Sequence, residues 1–559
     1  MTKGITRREF IKSSVAGSLT IGAALSTTSC SVSGQPLATK SNTKQIKRGG
    51  TLIFATEAEE TGLDPRFADY DTTGVLYERT FYDPLAILDA NGIPQPYLAE
   101  SITPSPDYDS WQIKVRPNVY FHDGSLLDAK VVQANFEHYQ SALSAVPLTM
   151  TLIKSVDIVD DLTVKVNLSS PWVPFDYWLA GGIGAQFPYM LAPAMLKASS
   201  NYSSTHPIGT GPFIFQEWVP NSHLRAKANP NYWRKGLPYL DAIEYRPIPN
   251  ENSRLQSLLA GNVDMIHTSS STTIKALQAS GLSFITDAGK IVGEPDMNFI
   301  LLNHNSAKPF YNIYACQAIA YATNRDRYAK IIGNGIELPS DGPFVPNTPY
   351  YNGPTGYPNY DLTKAKQAVE NYKATTGIDL TFTLGTTPDP QSSIVAQFLQ
   401  NEWQQAGMKV NINASIQQDA LISNAISGNF DAYIWRQFAA LHPDINYIFW
   451  SSSTIYKGFY INMAQNRDPI IDNALNAARA EADPVKQAKY YQTVAERFAV
   501  DIPYAWLTRT IWAVAAASQV QNYDNPTTPN GLPAYGMISG IIWPTEIWLN
   551  NANRSVASF

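Results

Sequence analysis

"DLTFTLGTTPDPQSSIVAQFLQNEWQQAGMKVNINASIQQDALISNAISGNFDAYIW", Asp379 to Trp435, changes period four times. DLTFTLG, KVNINAS and DAYIW read as strands, and SIVAQFLQNEWQQAG and DALISNAISG as the helices between them. Strands and helices exchanging over short links mark an α/β lobe. Upstream, the same series begins with the strand MNFILLN, where the pattern starts afresh at Asn298. It continues through one helix, NIYACQAIAYATNRDRYAKII, a proline-rich passage to Tyr360 and the helix LTKAKQAVENY. An earlier series stands apart from it. GGTLIFATEAEETGLDP (Gly49–Pro65) is a strand running into an acidic turn, and WQIKV is a half-buried strand followed by an HDGS turn. Asp128 caps a helix, VDIVDDLTVKVNL is a hairpin, GTGPFIFQEW turns into a strand, and the helix in PNENSRLQSLLAGNVDMI stops at Gly261. A chain of 559 residues exceeds one core, so two or more lobes are expected.

Directly after the last strand comes Arg436, among the apolar Tyr433, Trp435 and Phe438. A guanidinium is permanently charged, and burying it unpaired is costly. Its partner is either an internal acid, Asp431 or Asp444, or a carboxylate on a bound molecule. The chain is aromatic throughout, with 12 Trp, 31 Tyr and 22 Phe, which suits either a ligand cleft or large cores.

The first residues speak of export. TRREFIK (Thr6–Lys12) places twin arginines before Phe10, and the apolar run Val15 to Leu25 is too short to span a bilayer, which needs roughly 20 residues. Residues 1–29 therefore read as a twin-arginine signal peptide. Residues 30–48 form a polar linker that opens on Cys30, a candidate lipidation site, although Thr27 stands where a lipoprotein signal wants Leu. Cys316 is the only other cysteine, so no internal disulfide is expected. Without residues 1–48, which hold eight Lys/Arg and one Glu, the rest has 33 basic and 46 acidic residues, a net of −13. That charge argues against nucleic acid or an anionic membrane as partner, so membrane contact is expected only through a lipid on Cys30. No zinc-protease helix, cysteine pair, nucleophile elbow, phosphate loop or dinucleotide fingerprint is present, so neither metal nor cofactor is expected. A glycosidase-type carboxylate pair stays open, but the balance leans toward binding.

The chain resembles the family 5 extracellular solute-binding proteins, the peptide/nickel-type receptors of bacterial ABC transporters. Segments in family order carry the likeness: GGTL with LDP (Leu63–Pro65), LAESITPSPDYDSWQIKVRPNVYFHDGSLLDA (Leu98–Ala129), IGTGPF (Ile208–Phe213), NPNYW (Asn229–Trp233), RLQSLLAGNVD (Arg254–Asp264), QAIAYATNRD (Gln317–Asp326) and ARAEADPVKQAKYYQ (Ala478–Gln492). They span roughly residues 49–520. The resemblance implies an α/β, two-lobed, type II periplasmic-binding-protein-like fold, with an extra subdomain inserted in lobe one and two crossing strands as hinge. Lobe one would take residues 49–73, 206–297 and 520–559, the inserted subdomain 74–205, and lobe two 298–519.

It also implies a function. A short peptide or peptide-like ligand would be held by lobe closure and passed to ABC permease subunits, with no chemistry and as a monomer. In the family the tract after Asp431 lines the pocket, which makes Tyr433, Trp435, Arg436 and Phe438 ligand-binding candidates. Glu57, after the first strand, and Tyr70, Asp71 and Arg79 would form the facing rim. Peptide-binding members carry an aspartate a few residues after the tryptophan; here Ala439 and Ala440 stand there and Asp444 is the nearest acid. That departure leaves a nickel-chelate or other small-solute receptor as one alternative, with His442 as its pointer. An exported hydrolase using a cleft carboxylate pair is the other.

Overall fold

The computed structural model describes residues 45–68, 71–142, 144, 146–287, 296–346, 348–440 and 442–550. The signal segment, Cys30 and Tyr70 lie outside them. Among the described residues no helix is long and apolar enough to cross a membrane.

Two mixed sheets organise the molecule into two lobes. The first has seven strands in the order Ser283–Thr286, Ala513–Ala516, Met265–Thr268, Thr51–Thr56, Ala242–Pro247, His223–Ala228 and Phe213–Val219. Its centre is the opening strand Thr51–Thr56 (TLIFAT), buried at every position after the first and parallel to both neighbours. An apolar run covered on both faces is what a central parallel strand requires. The second sheet runs Leu338–Pro339, Tyr504–Arg509, Met297–Leu302, Ala432–Gln437, Thr381–Gly385, Lys409–Asn413. Its last three strands are the series read from the sequence, and they pair in parallel.

A separate antiparallel sheet, Ala99–Pro104, Ser110–Val115, Thr163–Leu168 and Ile153–Ile158, forms the inserted subdomain. The helix Ala129–Gln140 packs on it, capped by Asp128, whose carboxylate accepts from the Val131 amide at 2.9 Å.

The chain passes from the first sheet to the second after Thr286 and returns after Arg509. Lobe two was expected to run to residue 519, yet Ala513–Ala516 already pairs inside the first sheet. The return crossing is therefore Thr510–Trp512. Trp512 laces the two crossings together, its amide donating to Asp287 Oδ1 at 2.9 Å and its indole to Asp296 Oδ2 at 2.9 Å. A second difference lies in the expected single helix after Met297–Leu302, which is two, Ile313–Ala322 and Arg325–Ile331. Thr323 Oγ1 turns back to the Ile319 carbonyl at 2.7 Å, and Asn324 caps the second helix through the Arg327 amide at 2.9 Å. Short polar side chains compete with the helix for its own backbone groups.

Both ends of the described body lie on lobe one. The Lys47 ammonium donates to the Asn550 carbonyl at 2.5 Å, and the Gly49 amide to the Tyr239 carbonyl at 2.8 Å.

Candidate functional site between the lobes

Where the opening strand ends, Glu57 faces the second lobe. Where Ala432–Gln437 ends, Arg436 faces the first, and the two meet. Arg436 Nη2 donates to Glu57 Oε1 at 2.8 Å and Nη1 to Ser269 Oγ at 2.5 Å, while Nε lies 3.3 Å from Asp296 Oδ2. The guanidinium also lies over the Trp512 ring at 4.4 Å. Burial alone would lift the Glu57 carboxyl, but the charge of Arg436, with smaller help from Arg254, brings it below its ordinary value. Burial would likewise lower Arg436; the charges of Glu57 and Asp296 raise it instead. The pair is sequestered without being sealed, since 31% of the arginine side chain and 13% of the glutamate side chain remain accessible. His267 supplies no second cation. Its Nε2 accepts from the Glu57 amide at 2.9 Å, and burial takes its pKa down to about 4.

This answers what neutralises Arg436, and corrects both internal candidates. Asp431 is engaged by Lys308 at 2.9 Å and the Thr383 amide at 3.0 Å. Asp444 is 1% exposed. One of its oxygens accepts from the indoles of Trp172 and Trp178, both at 2.7 Å, and the other from Arg479 Nε at 2.8 Å. Burial would raise its carboxyl; the Arg479 charge and these hydrogen bonds hold it below the usual value. Asp444 thus fastens the inserted subdomain to lobe two, with its acceptor positions occupied. His442 is buried beside it, Nδ1 accepting from the Asp444 amide at 3.1 Å and Nε2 meeting Gln487 Oε1 at 3.2 Å. Both ring nitrogens are engaged internally, and among the described residues no cluster of His, Cys, Asp or Glu is placed to hold a metal ion.

The aromatic candidates separate. Phe438, at a left-handed φ of 89°, stacks on Phe299 with centroids 5.0 Å apart and packs against Trp450 and Tyr504, inside the core of lobe two. Tyr433 stacks on Phe430 and fills the space Gly385 leaves, where an added Cβ would come within 2.3 Å of its ring. Trp435 alone of the three stays partly exposed, its indole donating to Gln437 Oε1 at 2.8 Å. Alongside it, Thr381–Gly385 pairs only with Ala432 and Tyr433. From Ile434 to Gln437 the strand therefore runs past its neighbour with one ladder edge open.

On the facing rim, Asp71 caps the helix Thr72–Phe81 with Oδ1, which accepts from the Thr73 and Gly74 amides at 2.7 and 3.2 Å. Its Oδ2 accepts from Gln418 Nε2 of lobe two at 2.8 Å. Arg79, expected on the rim, is buried in a seam with Ala180, Tyr535 and Ile538, its guanidinium 4.0 Å over Trp543. Burial lowers its pKa. Sequence reading missed Asp296, Ser269, Trp512, Gln418 and Glu60. Only the acidic turn EAEE hinted at the last; the others reach the site through the crossings and loop ends.

The family described as bacterial extracellular solute-binding proteins, family 5 Middle, matches residues 94–458. Among curated proteins, the glutathione-binding protein GsiB of Pectobacterium atrosepticum is 27% identical over 477 residues, covering 81% of this chain and 88% of its own. Among solved structures, the oligopeptide-binding protein AppA of Bacillus subtilis, in complex with a nonapeptide, superposes with a TM-score of 0.78 at 22% identity, over 91% of this chain and all of that one. The periplasmic binding protein DppA of Helicobacter pylori, in complex with the peptide STSA, gives 0.78 at 24% identity, over 90% and 99%.

Proposed function

Because this chain belongs to the bacterial extracellular solute-binding proteins of family 5, receptors that deliver a solute to an ABC importer without changing it, we propose that its solute is a short peptide or peptide-like molecule. The open edge of Ile434–Gln437 carries this reading. An extended peptide laid there gains main-chain hydrogen bonds whatever its side chains are, and Trp435 offers a partly exposed aromatic face beside it. The relatives that bind glutathione and oligopeptides support the same class. The carboxylate-pair hydrolase is set aside, since the family consists of binding proteins.

Closure follows from the contacts that span the lobes, Arg436 with Glu57 and Ser269, and Gln418 with Asp71. A solute stabilises the closed form only by the extra contacts it makes there. Arg436, already between two carboxylates, acts in this reading as a closing pair with Glu57 rather than as a free receptor for a solute carboxylate. Export by residues 1–29, a lipid on Cys30 and action as a monomer complete the proposal. Replacement by Cys30→Ala is expected to shift the protein from the membrane to the soluble extracytoplasmic fraction.

The test is calorimetric titration with glutathione, trialanine and free amino acids. Saturable binding of either peptide at micromolar concentration supports the reading. Binding only of a solute without a peptide bond overturns it.

A further inference from the structure

We infer that the face between the lobes contains a cation subsite, formed by Glu60 and Asp71 with Glu57 beside them, which takes a side-chain ammonium or guanidinium group of the solute. The inference rests on the receptor reading above and adds the charge of what is bound.

The charges at this face do not balance. Lobe one presents Glu57, Glu59, Glu60 and Asp71, and the crossing adds Asp296. Arg436 is the cation bound among them, and it is committed to Glu57 and Asp296. Glu59 is occupied within lobe one, accepting from the Trp218 indole at 3.1 Å and from the Asn221 amide. Glu60 and Asp71 remain, near enough that each weighs on the other's ionisation. Two carboxyl groups so close disfavour double ionisation and retain a proton, and a solute cation can replace that proton.

Glu60 also has capacity to spare. It is 7% exposed, and its Oε1 has no hydrogen-bond partner among the described residues. A buried carboxyl oxygen left unpaired is costly in a finished structure, and a bound donor would relieve it. The pair belongs to the interlobe face rather than to the interior of lobe one, because Gln418 of lobe two donates to Asp71. Opening the lobes removes that donor and presents the pair to an incoming solute. A solute carboxylate would meet like charge at the same place.

Protons provide an independent readout. The groups facing Glu60 are Asp71, Glu59, Glu78 and the Tyr77 phenol from lobe one, while Arg436 and the uncharged Gln418 approach Asp71 from lobe two. Burial first, then the charge of Asp71, places the Glu60 carboxyl well above its ordinary value. A cation that displaces the retained proton must release it, so affinity for cationic solutes rises with pH.

The experiment compares alanyl-lysyl-alanine with alanyl-norleucyl-alanine, which has the same stem without the ammonium, by calorimetry in buffers of different ionisation enthalpy. Wild-type protein is expected to prefer the lysyl peptide by about tenfold or more and to release a proton on binding it. In Glu60→Gln, with its folding checked by thermal denaturation, the preference and the proton release are expected to vanish together. Equal affinity of the two peptides for wild type overturns the subsite and leaves the peptide reading intact. If neither peptide binds, the peptide reading falls, and agmatine and spermidine serve as bare cations. Their binding to wild type and loss in Glu60→Gln would keep the subsite; failure of both cations would overturn it as well.

Discussion

A guanidinium 379 positions along the chain from its carboxylate has no local reason to find it, and the pair Arg436–Glu57 is informative for that reason. Each residue was legible alone, one as a charge among aromatics, the other as an acid after a strand. Their meeting was not, because it depends on which two strand ends the hinge brings face to face. Truncation by Arg436→Ala leaves Glu57 and Asp296 uncompensated. With the partial exposure of the arginine discounting the loss, about 2 kcal/mol of stability is expected to go, as read by urea denaturation. Adding Glu57→Gln should recover part of it, so the two changes will be non-additive. A second residue points the other way. Glu78 is fully buried, with neither carboxyl oxygen hydrogen-bonded among the described residues, and burial drives its pKa well above the ordinary value despite the Arg79 charge. A carboxyl that holds its proton more tightly when folded weakens the fold progressively as pH rises above the unfolded-state value of about 4.5. Glu78→Gln should therefore raise Tm, by more at pH 8 than at pH 5. The same gain at both pH values would show that its ionisation does not matter.

Elements differ in how far sequence reveals them. The alternating run from Asp379 to Trp435 was transparent, because period and short links agree with one another, although its first helix starts earlier than the period shows, at Pro390, where Asp389 caps it. The strand Ala513–Ala516 was not: its four residues are all apolar and all buried, and a run so short and uniform has no period to read. That is why the return crossing was expected several residues too late. The seam between the inserted subdomain and lobe two was equally hidden, since one carboxylate gathers two indoles and an arginine from three separate elements. Asp444→Ala would leave all three donors unpaired in the interior. Its expected cost is about 3 kcal/mol or more, measured by thermal denaturation, with a red shift of tryptophan emission as Trp172 and Trp178 gain water. Unchanged emission with a small loss of stability would mean that the seam is held by packing alone.

At the scale of the whole molecule, two sheets joined by two crossings make a body whose main freedom is the angle between lobes, and polar contacts among the described residues restrain that angle together with the Asp444 seam. Besides Arg436 with Glu57 and Gln418 with Asp71, Asn334 Nδ2 of lobe two reaches Ser271 Oγ and Thr272 Oγ1 of lobe one, each at 3.0 Å. A closed form supported by its own contacts is populated before any solute arrives. Small-angle scattering should then show a larger radius of gyration for solute-free Arg436→Ala than for solute-free wild type, and the two should converge when solute saturates. If the variant is as compact as wild type from the start, the pair does not govern closure. Of this scale, the length of the chain disclosed that one core would not suffice, and the family resemblance that the lobes would be two. Neither disclosed anything of the restraints, which are made by side chains at loop ends.

The ammonium of Lys47 and the carbonyl of Asn550 touch on the same lobe. A sensor chip or a bead that grips the protein at Lys47 or at Asn550 therefore grips the same half, and leaves the other half to swing. A fluorophore pair meant to report swinging has to be split between the halves, since one on each of these two residues would remain at constant separation. The same proximity allows a chain trimmed to Lys47 and Asn550 to be joined there by a few residues and reopened elsewhere, on the moving half, so that a reporter inserted there would follow the motion directly.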